Sequence, residues 1–104
     1  MAALSRFDAA EYLDDPESIA GYLESALEEG DPGNFLEALG VVARAKGMTE
    51  LAKNAGVTRP ALYRSISATG HPHLNTVLSV MKSLGVSLHV VPAQPATTRE
   101  LEDT

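Results

Sequence analysis

The stretch that decides the predicted fold is residues 48–88, which read MTELAKNAGVTRPALYRSISATGHPHLNTVLSVMKSLGVSL. Two short helical patterns lie on either side of Ala55-Gly56-Val57, and a third helical pattern follows them. Thr58 opens the second pattern as a cap, because its hydroxyl oxygen can accept a backbone N–H of the first turn. A helix, a tight glycine turn and a second helix opening on a threonine can present a helix end to the DNA major groove. This stretch therefore predicts a helix-turn-helix over residues 48–67 and DNA binding.

The sequence before this stretch predicts two acidic helices over residues 16–46. Asp15-Pro16 and Asp31-Pro32 each place a capping carboxylate before a proline that suits the first helical turn. Gly30 and Gly47 end the two patterns, and helices joined by so short a link are expected to pack antiparallel. Their predicted buried residues are Ile19, Leu23, Ala26, Leu27, Phe35, Leu36, Leu39, Val42 and Ala43.

The rest of the chain completes an all-α, five-helix domain over residues 1–92. Thr49 is predicted to cap the first motif helix, and Val57 to fill the angle between the two motif helices. The fifth helix is predicted over Leu74–Leu84, and the β-branched alternation of Val86–Val91 predicts a short C-terminal β-strand. Residues 93–104 are predicted to be a flexible tail. The predicted inward residues of these elements are Leu51, Ala52, Ala61, Leu62, Ile66, Leu74, Val77, Leu78, Met81 and Leu84.

Charge is segregated along the chain, whose formal net charge is −6. Residues 1–40 carry ten acidic side chains against one arginine, a net of −9. Residues 41–92 carry six basic side chains against one glutamate, a net of +5, and residues 93–104 carry −2. Binding to a polyanion depends on the local field within a Debye length of about 8–10 Å, so the +5 segment suits DNA. The alternative is that these six cations form an ordinary solvated surface.

Several other classes of protein are disfavoured. The absence of cysteine excludes disulfides, thiolate zinc sites and thiol nucleophiles, and fits a cytoplasmic protein. No apolar run approaches the roughly 20 residues of a membrane span, and the N-terminus does not read as a secretory signal. His71, His73 and His89 lack the partners of a metal site, so no metal or cofactor is expected. No phosphate-binding loop or nucleophile elbow points to an enzyme.

Residues 48–88 resemble the Cro/lambda-repressor type of helix-turn-helix. Together with Phe7–Leu13 and the acidic first helix, they make the chain resemble the addiction-module antidote proteins, over roughly residues 6–90. This resemblance implies a lambda-repressor-like fold and a homodimer that binds double-stranded operator DNA and represses its own operon. It also implies a toxin partner of the RelE/ParE superfamily. Glu50 and Pro60 depart from the pattern, at positions that often hold a glutamine and a polar base-reading residue.

The candidate DNA-contacting residues come from the groove-facing start of the second motif helix. Arg59 and Tyr63 share a face because they are four residues apart, and Arg64 flanks them. An arginine there can donate two parallel hydrogen bonds to guanine O6 and N7, and Pro60 can touch a thymine methyl. The alternative is that Arg59 and Arg64 are solvated surface cations. The predicted DNA-binding residues are Thr49, Lys53, Thr58, Arg59, Pro60, Tyr63, Arg64 and Ser67, with Thr49, Lys53, Thr58 and Ser67 on the phosphate backbone.

Two further surfaces are predicted. A monomer offers few contacts to DNA, so a symmetric dimer is expected, and Phe7–Leu13 is a candidate to pair with the terminal strand within a subunit or across the dimer. The interface candidates are Leu84, Val86, Leu88 and Val90, which alternatively only close the monomer core. In the acidic first helix, Glu24, Glu28 and Glu29 form either a solvated face or a docking surface for a basic toxin.

Three functions follow from these features. The first is an antitoxin that represses its own operon, and the second is a stand-alone prophage-type transcriptional regulator without a toxin. The third is an interaction module that has kept the fold and lost DNA binding, an option that Glu50 and Pro60 leave open.

Overall fold

The computed structural model describes residues 14–93, which form five α-helices and no β-strand. The predicted all-α class is therefore confirmed for this part of the chain. None of the helices in it is long and apolar enough to cross a lipid bilayer. The predictions for Phe7–Leu13 and for the tail from residue 94 lie outside the described residues. The helices are α1 (Pro16–Glu28), α2 (Pro32–Lys46), α3 (Met48–Ala55), α4 (Arg59–Ser65) and α5 (Leu74–Ser83).

The first two helices begin at the predicted aspartate caps. The Asp15 carboxylate accepts the Ser18 backbone N–H at 3.2 Å, and the Asp31 carboxylate accepts the Gly33 backbone N–H at 3.0 Å. Hydrogen bonding to Ser18 lowers the pKa of Asp15 below its ordinary value of 3.8, because it favours the charged carboxylate. Both helix starts are thus fixed by side chains that the sequence identifies.

A single residue, Gly47, joins α2 to α3. Its φ of 122° lies in the region that favours glycine, and its N–H donates to the Ala43 carbonyl at 2.9 Å. Because α3 already begins at Met48, Gly47 occupies the N-cap position and no side chain caps the helix. The predicted cap at Thr49 is therefore wrong. The chain turns at the glycine and enters the next helix without an intervening loop.

The core lies where the inner faces of the five helices meet. Helix α1 packs on α2, and α3 contacts α2, α4 and α5. The residues predicted to point inward from α1–α4 are buried, with three exceptions. Leu36 and Ala61 are half-buried, and the third is Leu27. Leu27 was predicted to be buried and is instead 48% exposed at the end of α1. The largest fully buried side chains are Ile19, Leu39, Val42, Leu62, Ile66 and Val80.

The inner face predicted for α5 is confirmed only in part: Met81 and Leu84 are buried and Val77 packs against the core. Thr76 and Val80 are buried, whereas Leu74 and Leu78, which were predicted to point inward, are 64% and 41% exposed. Apolar residues make up half of this helix and are spread around it, so periodicity does not decide which side faces the core. The observed rotation leaves leucines on the surface of α5.

The predicted strand at Val86–Val91 is wrong, because residues 86–93 have no regular secondary structure. A β-branched segment becomes a strand only where a partner strand accepts its backbone hydrogen bonds, and residues 14–93 contain no strand that could do so. Instead, the Val86 N–H donates to the Met81 carbonyl at 3.0 Å and closes the end of α5 after Gly85. The segment then continues past α1, whose residue Pro16 approaches Gly85.

Candidate nucleic-acid interface

The turn between α3 and α4 fixes which side of α4 faces outward. Gly56 has a φ of 73°, in the left-handed region, and its N–H donates to the Lys53 carbonyl at 3.2 Å. The Val57 N–H donates to the Ala52 carbonyl at 3.1 Å, and the Val57 side chain packs against the core, as predicted. Because Leu62 is also fully buried, the opposite side of α4 faces solvent.

The exposed side of α4 carries the predicted base-contacting residues. Arg59, Pro60, Tyr63 and Arg64 are all exposed. The Arg59 Cζ atom lies 5.7 Å from the centroid of the Tyr63 ring, which is within the range of a cation–π interaction. Stacking on the ring restricts the rotamers of a long side chain, so less conformational entropy remains to be lost on binding. The structure therefore places these four residues on the exposed side of α4, with Arg59 at its first turn and Arg64 in its last turn.

Thr58 and Ser67, two predicted phosphate contacts, differ in whether their hydroxyl hydrogen is free to bind a phosphate. The Thr58 Oγ1 atom accepts the Ala61 backbone N–H at 3.2 Å, which confirms the predicted cap, and its own hydrogen remains available for a phosphate oxygen. The half-buried Ser67 already donates its hydroxyl to the Arg64 carbonyl at 2.9 Å. In this conformation Ser67 has no hydrogen left for a phosphate.

Thr49 and Lys53 lie on α3 and are exposed. Their spacing of four residues puts them on one face of α3. Other residues of α3 pack against α4. The carboxyl end of α3 is tied to α5 at Asn54, whose side chain donates to the Ser83 hydroxyl at 3.1 Å. The Ser79 hydroxyl donates to the Asn54 carbonyl at 3.2 Å. These bonds hold the end of α3 against α5.

Two glycines of α2, which are not among the predicted site residues, set the position of the segment that follows α4. A Cβ atom at Gly40 would lie 2.5 Å from the Ile66 carbonyl oxygen, and one at Gly33 would lie 2.7 Å from the Ala68 carbonyl oxygen. Their spacing of seven places both on one face of the helix. Glycine is unfavourable inside a helix. Two glycines seven residues apart in α2 are therefore a sequence signal that another backbone passes close to that face.

The four predicted dimer residues occupy different environments. Leu84 is 3% exposed and belongs to the monomer core, and the half-buried Val86 packs against that core. Leu88 is 46% exposed and Val90 is 95% exposed. Only the second pair therefore offers apolar surface to another molecule.

The three acidic candidates are divided between two sides of α1. Glu24 and Glu28 line an apolar hollow beside Leu27. Glu29 lines a separate hollow, where its carboxylate accepts the Asn34 side-chain N–H at 2.8 Å. The structure thus places Glu24 and Glu28 together and Glu29 apart from them.

Within residues 14–93, no group of three or more histidine or acidic side chains is arranged to hold a metal ion. His71 and His73 lie in the irregular loop before α5, and His89 lies in the segment after it. The His89 ring is within hydrogen-bond distance of the Ser87 hydroxyl, at 3.2 Å. We assign no metal-binding role to these side chains.

Comparison with known proteins shows the family of the chain. Residues 3–92 match the family model described as "Probable addiction module antidote protein". An uncharacterised protein of Haemophilus influenzae (strain KW20 / Rd) is 42% identical over 87 residues, which cover 84% of this chain and 90% of that protein. No solved structure gives a significant match. The chain therefore belongs to the family of probable addiction module antidote proteins, a regulatory rather than catalytic family that implies a toxin partner.

Proposed function

We propose that the chain is a cytoplasmic, DNA-binding antitoxin that neutralises a RelE/ParE-like toxin and represses its own operon as a dimer. The DNA-binding unit is a helix-turn-helix of the lambda-repressor type, made of α3, the Gly56 turn and α4. The observation that carries this proposal is the exposed amino half of α4, where Arg59 lies over Tyr63 while Leu62 holds the other side of the helix in the core. The antitoxin part is supported by the family.

In this proposal, α4 enters the major groove, which is about 12 Å wide, with its amino end foremost and its exposed side towards the bases. Arg59 and Arg64 donate paired hydrogen bonds to guanine edges, and Pro60 offers apolar contact to a thymine methyl. Thr58, Thr49 and Lys53 contact phosphates and set the register of the helix on the duplex. Glu50 is exposed on α3, and its negative charge opposes phosphate binding there. The six cations of residues 41–92 outnumber this single acid.

A symmetric dimer would place two copies of α4 about 34–36 Å apart, on successive turns of one face of the duplex. Val90 and, on α5, Leu78 are exposed apolar side chains available for this pairing. The acidic half of the chain is the proposed surface for a basic toxin, with Glu24, Glu28 and Glu29 as its candidates. Opposite charge on the two partners would speed their association.

The DNA-binding part is tested by a mobility shift on the DNA upstream of the gene at increasing salt. If each subunit of a dimer neutralises two or three phosphates, the logarithm of affinity falls with the logarithm of salt at a slope of about −4 to −5. A slope near zero would contradict the proposal, because phosphate contacts release counterions and so always produce salt dependence.

The proposed neutralisation of a toxin is tested by a growth-rescue assay. Co-expression of the chain with a RelE-like product of the neighbouring gene is expected to restore growth that the product alone arrests. Operator binding without such rescue would identify the chain as a stand-alone transcriptional regulator.

A further inference from the structure

An apolar groove lies between the end of α1, the start of α2 and the segment that follows α5. It consists of two adjoining hollows, of about 430 and 570 Å³, which share Leu27, Phe35, Met81 and Leu88 as lining residues. Phe35 and Met81 are buried and form the floor, whereas Leu27 and Leu88 are about half exposed and form the edges. The groove is therefore a surface from which water can be displaced by an apolar partner.

The rim of this groove is acidic. Glu24 and Glu28 line the first hollow and Asp31 lines the second. Among residues 14–93, no lysine or arginine lines either hollow. An apolar floor with carboxylates at the rim is complementary to a segment that is apolar on one side and basic on the other.

The two ends of the chain, outside residues 14–93, do not carry the basic charge that the acidic rim would attract. The side chains of residues 1–13 carry a net −1, from Arg6 against Asp8 and Glu11, and those of residues 94–104 carry a net −2, from Arg99 against three acids. A second copy bound symmetrically through this groove would bring the two acidic rims towards each other. Like charges at an interface disfavour association. Charge thus disfavours occupation by the chain itself and favours a basic partner.

We propose that this groove is the docking site for a basic amphipathic helix of a protein partner. The inference rests on the proposed antitoxin function, in that the partner is taken to be the toxin. Two apolar side chains on one face of the helix fill the two hollows, in the manner of helix-in-groove recognition. Lysines or arginines beside them pair with Glu24, Glu28 and Asp31. Leu27, which was predicted to be part of the core, thereby has a role in binding.

The test uses a fluorescent helical peptide of roughly 18 residues, with leucines on one face and lysines elsewhere, titrated with the full chain by anisotropy. A control peptide keeps the leucines and replaces every lysine by glutamate. We expect the basic peptide to bind at least about tenfold more tightly than the acidic one, given the acidic rim. Leu27→Gln, and Glu24→Gln with Glu28→Gln, are each expected to weaken binding at least about fivefold.

The matched control is Glu37→Gln, because Glu37 is also an exposed acid but lines the hollow on the other side of α1. Its peptide affinity is expected to stay unchanged. Absence of binding by the basic peptide, equal binding of both peptides, or an equal effect of Glu37→Gln would overturn the inference. So would sedimentation showing that Leu27→Gln dissociates a dimer, since the groove would then belong to a second copy.

The same variants separate this inference from the proposed function. Toxin rescue that is undiminished in Leu27→Gln overturns the groove as the toxin site and leaves the antitoxin function intact. Loss of rescue in Leu27→Gln with operator binding retained supports the groove, because Leu27 lies on α1, outside the helix-turn-helix.

Discussion

Replacing Arg59 and Arg64 together by alanine is expected to remove most of the preference of this chain for its operator over unrelated DNA. Both side chains are exposed on α4, and each can make a paired hydrogen bond to guanine that is worth about 1–3 kcal/mol of discrimination. Since about 1.4 kcal/mol is a factor of ten, losing both should cost at least about 30-fold in specific affinity per half-site. A mobility shift with unlabelled operator and unrelated DNA as competitors measures this ratio.

Two variants separate base reading from charge in this experiment. The double change of Arg59 and Arg64 to lysine keeps both charges and loses the planar fork, so specificity is expected to fall while non-specific affinity is kept. Lys53→Ala is expected to weaken all sequences about equally and to reduce the salt slope of the dimer by about 2, or about 1 for each subunit. Unchanged specificity in the double alanine variant would show that these arginines are only solvated cations.

Gly40→Ala is expected to have a large destabilising effect for a change that adds only one methyl group. The added methyl would lie 2.5 Å from the Ile66 carbonyl oxygen, a backbone atom that cannot move aside as a side chain can. Overpacking of this kind costs about 1–3 kcal/mol, against which alanine recovers up to about 1 kcal/mol of helix propensity. We therefore expect a net loss of about 1–2 kcal/mol, or roughly 4–16 °C in the midpoint of thermal unfolding.

Gly21→Ala is the matched control, because Gly21 is also inside a helix but is exposed, and a methyl group on its Cα atom would have no neighbouring atom within 4 Å. This change is expected to raise the free energy of unfolding by up to about 1 kcal/mol, since only the helix propensity changes. Differential scanning calorimetry of the two variants gives opposite shifts if α2 and the end of α4 are in close contact. Two upward shifts would mean that the approach at Gly40 is loose.

The sequence predicted what is decided by local chemistry. Asp15, Asp31 and Thr58 cap helices because a side-chain oxygen three or fewer residues away can reach a free backbone N–H. Gly56 ends α3 in the left-handed region for an equally local reason. These positions depend only on neighbours in the chain, so they can be read without knowing the fold.

The sequence did not predict what depends on distant partners. The rotation of α5 buries Thr76 and exposes Leu74 and Leu78, and only the packing of the other helices selects that side. The segment after Gly85 has strand-like residues but no partner edge within residues 14–93. The groove beside Leu27 was missed for the same reason, because Leu27 reads as a core position when its helix is considered alone.

The amino half of α4 is proposed to face DNA, and an NMR titration of the isotope-labelled chain with its upstream duplex tests this most directly. We predict that the largest changes in backbone amide signals fall on residues 58–64, with smaller changes around Thr49 and Lys53 and almost none along α1. Changes that concentrate on α1, or signals of residues 58–64 that do not move at saturating DNA, would contradict DNA binding through α4.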